Sequence, residues 1–291
     1  GTKPISSITP TKVLSVMKKV QEEGHKDTSR RVFRYLSAIL NYAKFNGKIE
    51  QNPADGAEKY LAKLDTSHQP TIQESELPQL LNDIDGYTTR GQQRANPLTQ
   101  LALQLLTRTV VRSGELRGAR WNEFNLKTAT WTIPAERMKK KREHIVPLSN
   151  QALAIIHQIK SISGESTLLF PSASIDGFMS DNTLRKALFT LGYDGADATK
   201  SKCVPHGLRA LAATILTEAT HPAKQGAIPE KMFEADVIEI MLAHQQEDRL
   251  KKAYIRHPNH LELRRHMMQW LSDYFDKRQG LLPPDRSNVT D

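Results

Sequence analysis

Residues 130–153, TWTIPAERMKKKREHIVPLSNQAL, contain two short segments with strand character on either side of a basic turn. The predicted strands are Thr130–Ile133 and His144–Leu148, and the turn carries Lys139, Lys140 and Lys141. Around this hairpin, apolar residues recur at helical spacing along most of the chain. Together these patterns predict a mainly α protein with a small antiparallel β-sheet.

Helical patterns dominate both sides of the hairpin. Thr9 followed by Pro10 predicts a helix start, and a second helix is expected from Thr28 or Ser29 to Asn46-Gly47. In the second helix Val32, Leu36, Ile39, Leu40 and Ala43 are expected to face the core. Further helix starts are predicted at the following positions: Ser75, Asn96-Pro97, Ser149, Asp181, Pro205 and Pro229. The segment 261–278 closes the series with an apolar stripe that includes Leu263, Met267 and Trp270.

Length and composition indicate a globular protein of two modest domains. The chain has 291 residues, 38% hydrophobic and 25% charged, and a net charge of +9 whose basic excess is greatest in the first 67 residues. We predict a helical domain over 1–64, a linker over 65–74, a larger domain over 75–280 and a flexible tail over 281–291. The single cysteine, Cys203, excludes an internal disulfide framework and is expected to be structural. A chain that starts with Gly1 is expected to be a trimmed piece.

Five residues with phosphate chemistry follow one another in a characteristic order. Arg112 lies in VVRSGEL, His206 and Arg209 form HGLR, and His244 and Tyr254 lie in AHQQEDRLKKAYIR. Two guanidiniums can bind the non-bridging oxygens of a phosphodiester, while imidazoles donate hydrogen bonds or relay protons. A phenol beside them can act as a nucleophile and form a phosphotyrosine.

This ordered set resembles the tyrosine recombinases of the phage integrase family, whose catalytic pattern is Arg, Lys, His-x-x-Arg, His or Trp, and Tyr. Residues 130–153 and PHGLRALAATIL, 205–216, look typical of prophage and genomic-island integrases. The resemblance implies a helical core-binding domain followed by a catalytic domain with the DNA breaking-rejoining fold. It also implies site-specific strand exchange through a 3′-phosphotyrosine and a Holliday junction, for integration or excision of a mobile element.

The resemblance assigns a role to each matching residue. Arg112 and Arg209 would clamp the scissile phosphate, although a surface pair between Arg112 and Glu115 is the simpler alternative. His206 would donate to a phosphate oxygen or help to take the tyrosine proton. His244 would donate to the phosphate.

The nucleophile and the acid are assigned in the same way. Tyr254 would be the nucleophile, since it alone among the seven tyrosines has the required spacing to a histidine; Tyr35, Tyr42 and Tyr274 are expected to be packing residues. In the family the catalytic lysine lies eight residues before the proline of the VPL strand, and Pro147 therefore indicates Lys139, with Lys140 as the alternative. This lysine would protonate the departing 5′ oxygen.

Supporting residues are expected around this set. Glu115 is predicted to orient Arg112 or His206. Basic side chains are predicted to contact the DNA backbone, because a basic helical face suits a polyanion: Arg30, Arg31, Arg34, Lys44, Lys140 and Lys141.

No metal or other cofactor is expected. The histidines at 257, 260 and 266 lack a partner set for a metal, and the chain has no glycine-rich nucleotide loop. By resemblance the partners are double-stranded DNA attachment sites, a homo-tetramer on DNA with exchange of the C-terminal helix after His260, and accessory DNA-bending and directionality proteins. No membrane is expected, and the predicted location is the bacterial cytoplasm at the nucleoid.

Two other functions stay open at this point. A type IB topoisomerase uses similar groups to relax DNA, and a non-catalytic DNA-binding protein could keep the same fold. Relatives of this kind commonly have a further N-terminal arm-binding domain, which would precede this sequence. Target sequence and the balance between integration and excision have no motif that reveals them.

Overall fold

The computed structural model describes residues 3–63, 69–89, 95–221, 229–243 and 260–282 of the chain. Contacts divide the chain into two units, Gly1–His68 and Gln69–Asp291. Within the described residues no helix is both long and apolar enough to cross a bilayer.

The first unit is built on two helices, α1 (Pro10–Glu22) and α2 (Lys26–Phe45), which pack against each other. Thr9 starts α1 as predicted: its hydroxyl accepts a hydrogen bond from the Lys12 amide. The core of this unit contains the following buried residues: Val13, Met17, Phe33, Leu40, Ala54, Ala57 and Leu61.

The buried face of α2 agrees with the prediction at Leu40 and Ala43 and differs from it at Val32 and Ile39. Val32 is 37% exposed and Ile39 is 58% exposed, whereas Phe33 and Leu40 are buried. Tyr35 and Tyr42, predicted to be packing residues, are also exposed. A helix of a small two-helix unit has a partner along one narrow face, so the α2 stripe through Phe33 and Leu40 is covered and the adjacent apolar stripe is not.

The second unit contains the remaining described helices and all of the described sheet. Its helices are α3 (Leu77–Asp85), α4 (Pro97–Thr109), α5 (Ser113–Arg117), α6 (Asn150–Ser163), α7 (Asp181–Thr190), α8 (Pro205–Glu218), α9 (Ala235–Met241) and α10 (Leu261–Gln279). The apolar helix α4 lies at the centre and contacts α3, α5, α6, α7, α8 and α10. The mainly α architecture with a small antiparallel sheet is confirmed.

The sheet has three antiparallel strands in the order β1 (Phe124–Asn125), β2 (Thr130–Ile133) and β3 (His144–Pro147). Trp131 of β2 pairs with Phe124 on one side and Val146 on the other, and its side chain is fully buried. Both predicted strands are therefore confirmed, and β1 is an additional strand. Two residues are too few to produce an alternating pattern that a sequence could reveal.

The C-terminal helix α10 packs within its own chain. It contacts α3, α4, β3, α8 and α9 and buries Met267, Met268, Leu271 and Phe275. Arg264, fully buried, donates to the Ile145 carbonyl at 2.6 Å. In this chain its apolar stripe is covered by the core of the second unit, and exchange of the helix with a neighbouring protomer stays a prediction.

The predicted linker is too long at its C-terminal end. Residues 69–74 belong to the second unit: Ile72 is buried in its core, and the Pro70 carbonyl accepts from the Val204 amide at 3.2 Å. Gly207 permits this approach, because a Cβ at that position would lie 2.0 Å from the Pro70 carbonyl oxygen. The part of the predicted linker at 64–68, and most of the predicted tail, 283–291, lie outside the described residues.

Three helix starts differ from the prediction. The helix predicted from Thr28 or Ser29 begins at Lys26. Ser75 lies inside a 3₁₀ turn, and Glu76 makes the capping contact by accepting from the Gln73 amide at 2.8 Å. The helix predicted from Pro229 begins at Ala235. Proline at a first helical position is a common signal, but it marks turns equally well.

Candidate active site

Arg112 lies directly after α4, where Val110 ends the helix in a left-handed conformation with φ 56°. Glu115 holds Arg112 at two points. One carboxylate oxygen accepts from the Arg112 backbone amide and the other from Nη1, both at 2.8 Å. Glu115 is buried and the Arg112 side chain is 25% exposed. The guanidinium is therefore fixed along one edge by Glu115. Arg112, one of the two predicted partners of Glu115, is bonded to it.

Arg209 lies in the first turns of α8 and is only 4% exposed. Its Nη1 donates to the Val110 carbonyl at 2.6 Å, and its Nη2 donates to the Leu242 carbonyl. Burial and, after it, the positive charge of Arg112 lower the pKa of Arg209 to about 10. The two guanidiniums predicted to act together thus lie close enough to repel each other.

Three consecutive carbonyls at the end of α9 are bound by residues from three other elements. His144 of β3 hydrogen-bonds to the backbone of Met241, Arg209 donates to Leu242, and the Arg112 Nη2 lies 3.5 Å from the Ala243 carbonyl oxygen. The last carbonyls of a helix lack partners within the helix, so they attract donors of this kind. This end of α9 is thereby held against both arginines.

His144 was not identified as a site residue from the sequence. It is 6% exposed, and burial followed by the charges of Arg264, Arg209 and Arg112 lowers its pKa to about 3. The imidazole is therefore neutral at ordinary pH. A single histidine in a strand carries no local signal of its role, because the three arginines around it come from distant parts of the sequence.

His206 occupies the exposed start of α8, one residue after Pro205 at the first helical position. Arg209, one turn further along the same helix, is buried. Helix N-termini favour anions, because their free amides and the helix dipole both present positive charge. The HGLR motif therefore places one accessible imidazole and one buried guanidinium at the same helix end.

Lys139 is exposed in the turn that follows β2. The Lys141 amide donates to the Met138 carbonyl at 3.0 Å and closes this turn, with Lys141 itself left-handed at φ 52°. Lys140 and Lys141 are exposed as well. Geometry alone does not separate Lys139 from Lys140, so the choice of Lys139 stays a prediction.

The predicted His244 and Tyr254 lie at 244–259, outside the described residues. The described segment before this gap ends at Ala243, whose carbonyl accepts from Arg112. The segment therefore ends beside the arginine pair. The metal alternative has one histidine, His257, in the same segment. Within the described parts of the chain no group of three or more His, Cys, Asp or Glu side chains could hold a metal ion.

The basic residues predicted on α2 divide into two kinds. Arg30 donates from Nε and Nη2 to the Ala62 carbonyl, at 3.1 and 3.0 Å, and so contributes to the unit's internal structure. Arg31, Arg34 and Lys44 are exposed. These three therefore remain candidates for contact with a polyanion.

Comparisons with known proteins give the family of the chain. Residues 70–226 match the model of the phage integrase family, and residues 1–60 match the model of the phage integrase central domain. An integrase of Enterobacteria phage P4 is 36% identical over 96% of this chain and 62% of its own length. The putative protein IntB of Escherichia coli K12 is 33% identical over 98% of this chain and 70% of its own length.

Solved structures share the fold at low identity. A lambda integrase dimer bound to a COC′ core site superposes with a TM-score of 0.63 at 17% identity, covering 89% of this chain and 68% of that chain. The Tn1549 transposon integrase in complex with circular intermediate DNA gives a TM-score of 0.54 at 15% identity, covering 88% of each chain. These likenesses concern the fold.

The chain spans less than two thirds of the length of the phage P4 integrase, and 70% of IntB. The family model alone covers more than half of this chain. Because the family model matches more than half of the chain, and because IntB is 33% identical over 98% of the chain, the chain belongs to the phage integrase family.

Proposed function

We propose that this chain is the core of a site-specific DNA recombinase that cleaves and rejoins DNA through a 3′-phosphotyrosine. The observation that carries the proposal is the pairing of Arg112 and Arg209 on adjacent carbonyls, Ala243 and Leu242, at the end of α9. Tyr254 follows Ala243 by eleven residues in sequence. Burying two like charges together is costly, and an anion bound between them would relieve that cost.

In the proposed reaction the Tyr254 oxygen attacks the scissile phosphorus while the bond from phosphorus to the 5′ oxygen breaks. Arg112, Arg209 and His244 would neutralise the charge that builds on the non-bridging oxygens. His206 would take the phenol proton, and Lys139 would deliver a proton to the departing 5′ oxygen. Glu115 would act by holding Arg112 in place.

The second half of the reaction is the reverse step with another strand. The 5′ hydroxyl of a partner strand would attack the phosphotyrosine and release Tyr254, so strands are exchanged through a Holliday junction. One phosphodiester is replaced by another, and the exchange therefore requires no energy source. By analogy with the solved lambda integrase tetramer bound to a Holliday junction, four protomers would act on two DNA sites.

Other parts of the proposal follow from the same family membership. Arg31, Arg34 and Lys44 of the first unit, together with Lys140 and Lys141, would contact the DNA backbone. Accessory DNA-bending and directionality proteins would set the direction of the reaction. The place of action would be the bacterial cytoplasm, at the nucleoid.

A nicked suicide substrate tests the nucleophile, because loss of a short 5′ strand traps the covalent adduct. Wild type is expected to form the adduct, and Tyr254→Phe is expected to form none, since the nucleophilic oxygen is missing. Tyr60→Phe is the matched control, because Tyr60 is an exposed tyrosine outside the predicted catalytic set. An adduct that persists in Tyr254→Phe would refute the assignment. Recombination between two sites, against relaxation of one supercoiled plasmid, separates a recombinase from a topoisomerase.

The leaving-group acid is tested with a substrate in which sulfur replaces the bridging 5′ oxygen. A thiolate leaves without protonation, so Lys139→Ala is expected to be slow on normal DNA by about 10²–10⁴-fold and fast on the sulfur substrate. Lys140→Ala is the comparison variant. If rescue is seen in Lys140→Ala instead, the acid is Lys140.

A further inference from the structure

Arg137 is a charged residue held inside the second unit at the base of the turn that carries Lys139. It ends a short 3₁₀ turn, Ala135–Arg137, two residues before Lys139. Its side chain is only 18% exposed. Burial lowers its pKa, and the charge of Glu123 opposes that change. A guanidinium taken out of water needs compensating contacts, so its partners are informative.

The contacts of Arg137 run to two different elements. Its Nη2 donates to the Glu115 carbonyl of α5 at 2.7 Å, and its Nε lies 2.8 Å from a carboxylate oxygen of Glu123. The other oxygen of Glu123 accepts from the indole of Trp131 in β2 at 2.9 Å. The guanidinium is therefore fixed between α5 and the sheet.

Gly118 leaves the space that this guanidinium occupies. A Cβ at position 118 would lie 2.7 Å from the Arg137 Nη1, closer than real Cβ contacts come. Since Gly118 has an ordinary negative φ, the space and not the backbone conformation explains the glycine. The fit of Arg137 against α5 thus involves two residues far apart in sequence.

Glu115 connects Arg137 to the arginine pair. Its carbonyl accepts from Arg137, and its carboxylate binds the backbone and guanidinium of Arg112. A single residue therefore joins the base of the Lys139 turn to the side chain proposed to bind phosphate.

We propose that Arg137 is a positioning residue that sets the turn bearing Lys139 at a fixed place relative to Arg112. This inference rests on the proposed function, since Lys139 matters there as the acid for the leaving oxygen. A displacement of about 1 Å in a reacting group costs about 10²-fold in rate, so a loose turn is expected to impair proton delivery. A purely structural role would instead impair all steps alike.

The test compares cleavage of normal and 5′-bridging sulfur substrates by Arg137→Gln. Cleavage of normal DNA is expected to fall by about 10- to 100-fold, and cleavage of the sulfur substrate is expected to stay near the wild-type rate, because sulfur leaves without a proton. Arg137→Lys, which keeps the charge and one donor, is expected to recover part of the rate on normal DNA.

Arg117→Gln is the matched control. Arg117 lies on α5 and, like Arg137, makes two polar contacts, at 2.7 Å to the Met179 carbonyl and 2.9 Å to Asp181. Both partners lie outside the hairpin, so loss of Arg117 is expected to change both substrates equally. Gly118→Ala is a second variant that displaces the Arg137 side chain without removing it, and it is expected to repeat the selective defect.

The outcomes separate this inference from the proposed function. Equal slowing of both substrates in Arg137→Gln and Gly118→Ala, with rescue intact in Lys139→Ala, would overturn the role of Arg137 and leave the acid in place. Unchanged cleavage of normal DNA by both variants would overturn it as well. Absence of rescue in Lys139→Ala itself would instead remove the acid from the proposed function. If Arg137→Gln does not fold, Gly118→Ala and Arg137→Lys provide the same comparison.

Discussion

Acidification is expected to destabilise the second unit through His144. The unfolded histidine has an ordinary pKa of 6.5, and in the folded chain burial and the charges of Arg264, Arg209 and Arg112 lower it to about 3. Between these values the unfolded chain binds a proton that the folded chain does not bind. The stability due to neutral His144 is therefore fully present above the unfolded pKa and is lost progressively as the pH falls towards the folded pKa.

The size of the effect follows from the separation of the two pKa values. One pKa unit corresponds to about 1.4 kcal/mol, so by about pH 5 the unfolded state gains roughly 2 kcal/mol from protonation of this one residue. A domain of this kind has only about 5–15 kcal/mol of stability, so such a change is readily measured. His144→Gln keeps an amide donor for the Met241 backbone but does not titrate.

Urea unfolding followed by tryptophan fluorescence is the assay. All three tryptophans, Trp121, Trp131 and Trp270, lie in the second unit, so the signal reports that unit. The free energy of unfolding of wild type is expected to fall by roughly 2 kcal/mol more than that of His144→Gln between about pH 7 and about pH 5. His157→Gln, a change at an exposed histidine of α6, is expected to behave as wild type.

Comparing variant with wild type removes the contributions of all other titrating groups, which the two proteins share. If His144→Gln and wild type lose the same free energy on acidification, His144 is already protonated or is not buried among the arginines. The reasoning about its pKa would then be refuted.

Three further outcomes are expected. Asp83→Asn should lower the free energy of unfolding of the second unit by about 2–4 kcal/mol, because buried Asp83 accepts from Lys200 at 2.7 Å and the Lys200 side chain is only 21% exposed. Urea unfolding followed by tryptophan fluorescence measures this loss. Deletion of residues 262–291 should unfold the second unit, because it removes the buried face of α10. Loss of the cooperative unfolding transition checks this, and a truncated protein that stays folded would contradict it. Arg31→Gln should weaken DNA binding and lower its salt dependence by about one ion, whereas Arg30→Gln should mainly lower thermal stability, because Arg30 binds the Ala62 carbonyl. Electrophoretic mobility shifts at several salt concentrations and thermal melts distinguish the two variants. Equal salt dependence of DNA binding in both would contradict the separate roles of Arg30 and Arg31.

Local patterns in the sequence accounted for much of the fold. The helix starts at Thr9, Asn96 and Ser149 were predicted correctly, as was the pair of strands around the lysine turn. These features depend on residues that are close together in the sequence, so the local sequence is enough to predict them. The helix start predicted at Pro229 was wrong because proline alone marks both turns and helix starts.

Packing faces were predicted less well than helix positions. On α2 the apolar residues cover more of the helix surface than its partners do, so composition could not tell Leu40, which is buried, from Ile39, which is not. The same limit applies to the C-terminal helix. Its apolar stripe indicated a packing surface, but the stripe could not say whether the covering surface belongs to the same chain or a neighbour.

The sequence by itself determined which candidate catalytic residues are present and in what order: the arginines, histidines, lysine and tyrosine. It also determined most of the helices on which they lie. Only the tertiary structure decided which contacts position these side chains. The Arg209 bonds to Val110 and Leu242, the Arg137 bond to Glu115 and the neutral His144 all join residues distant in the chain. The backbone carbonyl of any residue can accept a hydrogen bond, so the sequence does not indicate which carbonyls bind these arginines. Burial sets the charge of His144, and burial exists only once the chain is packed.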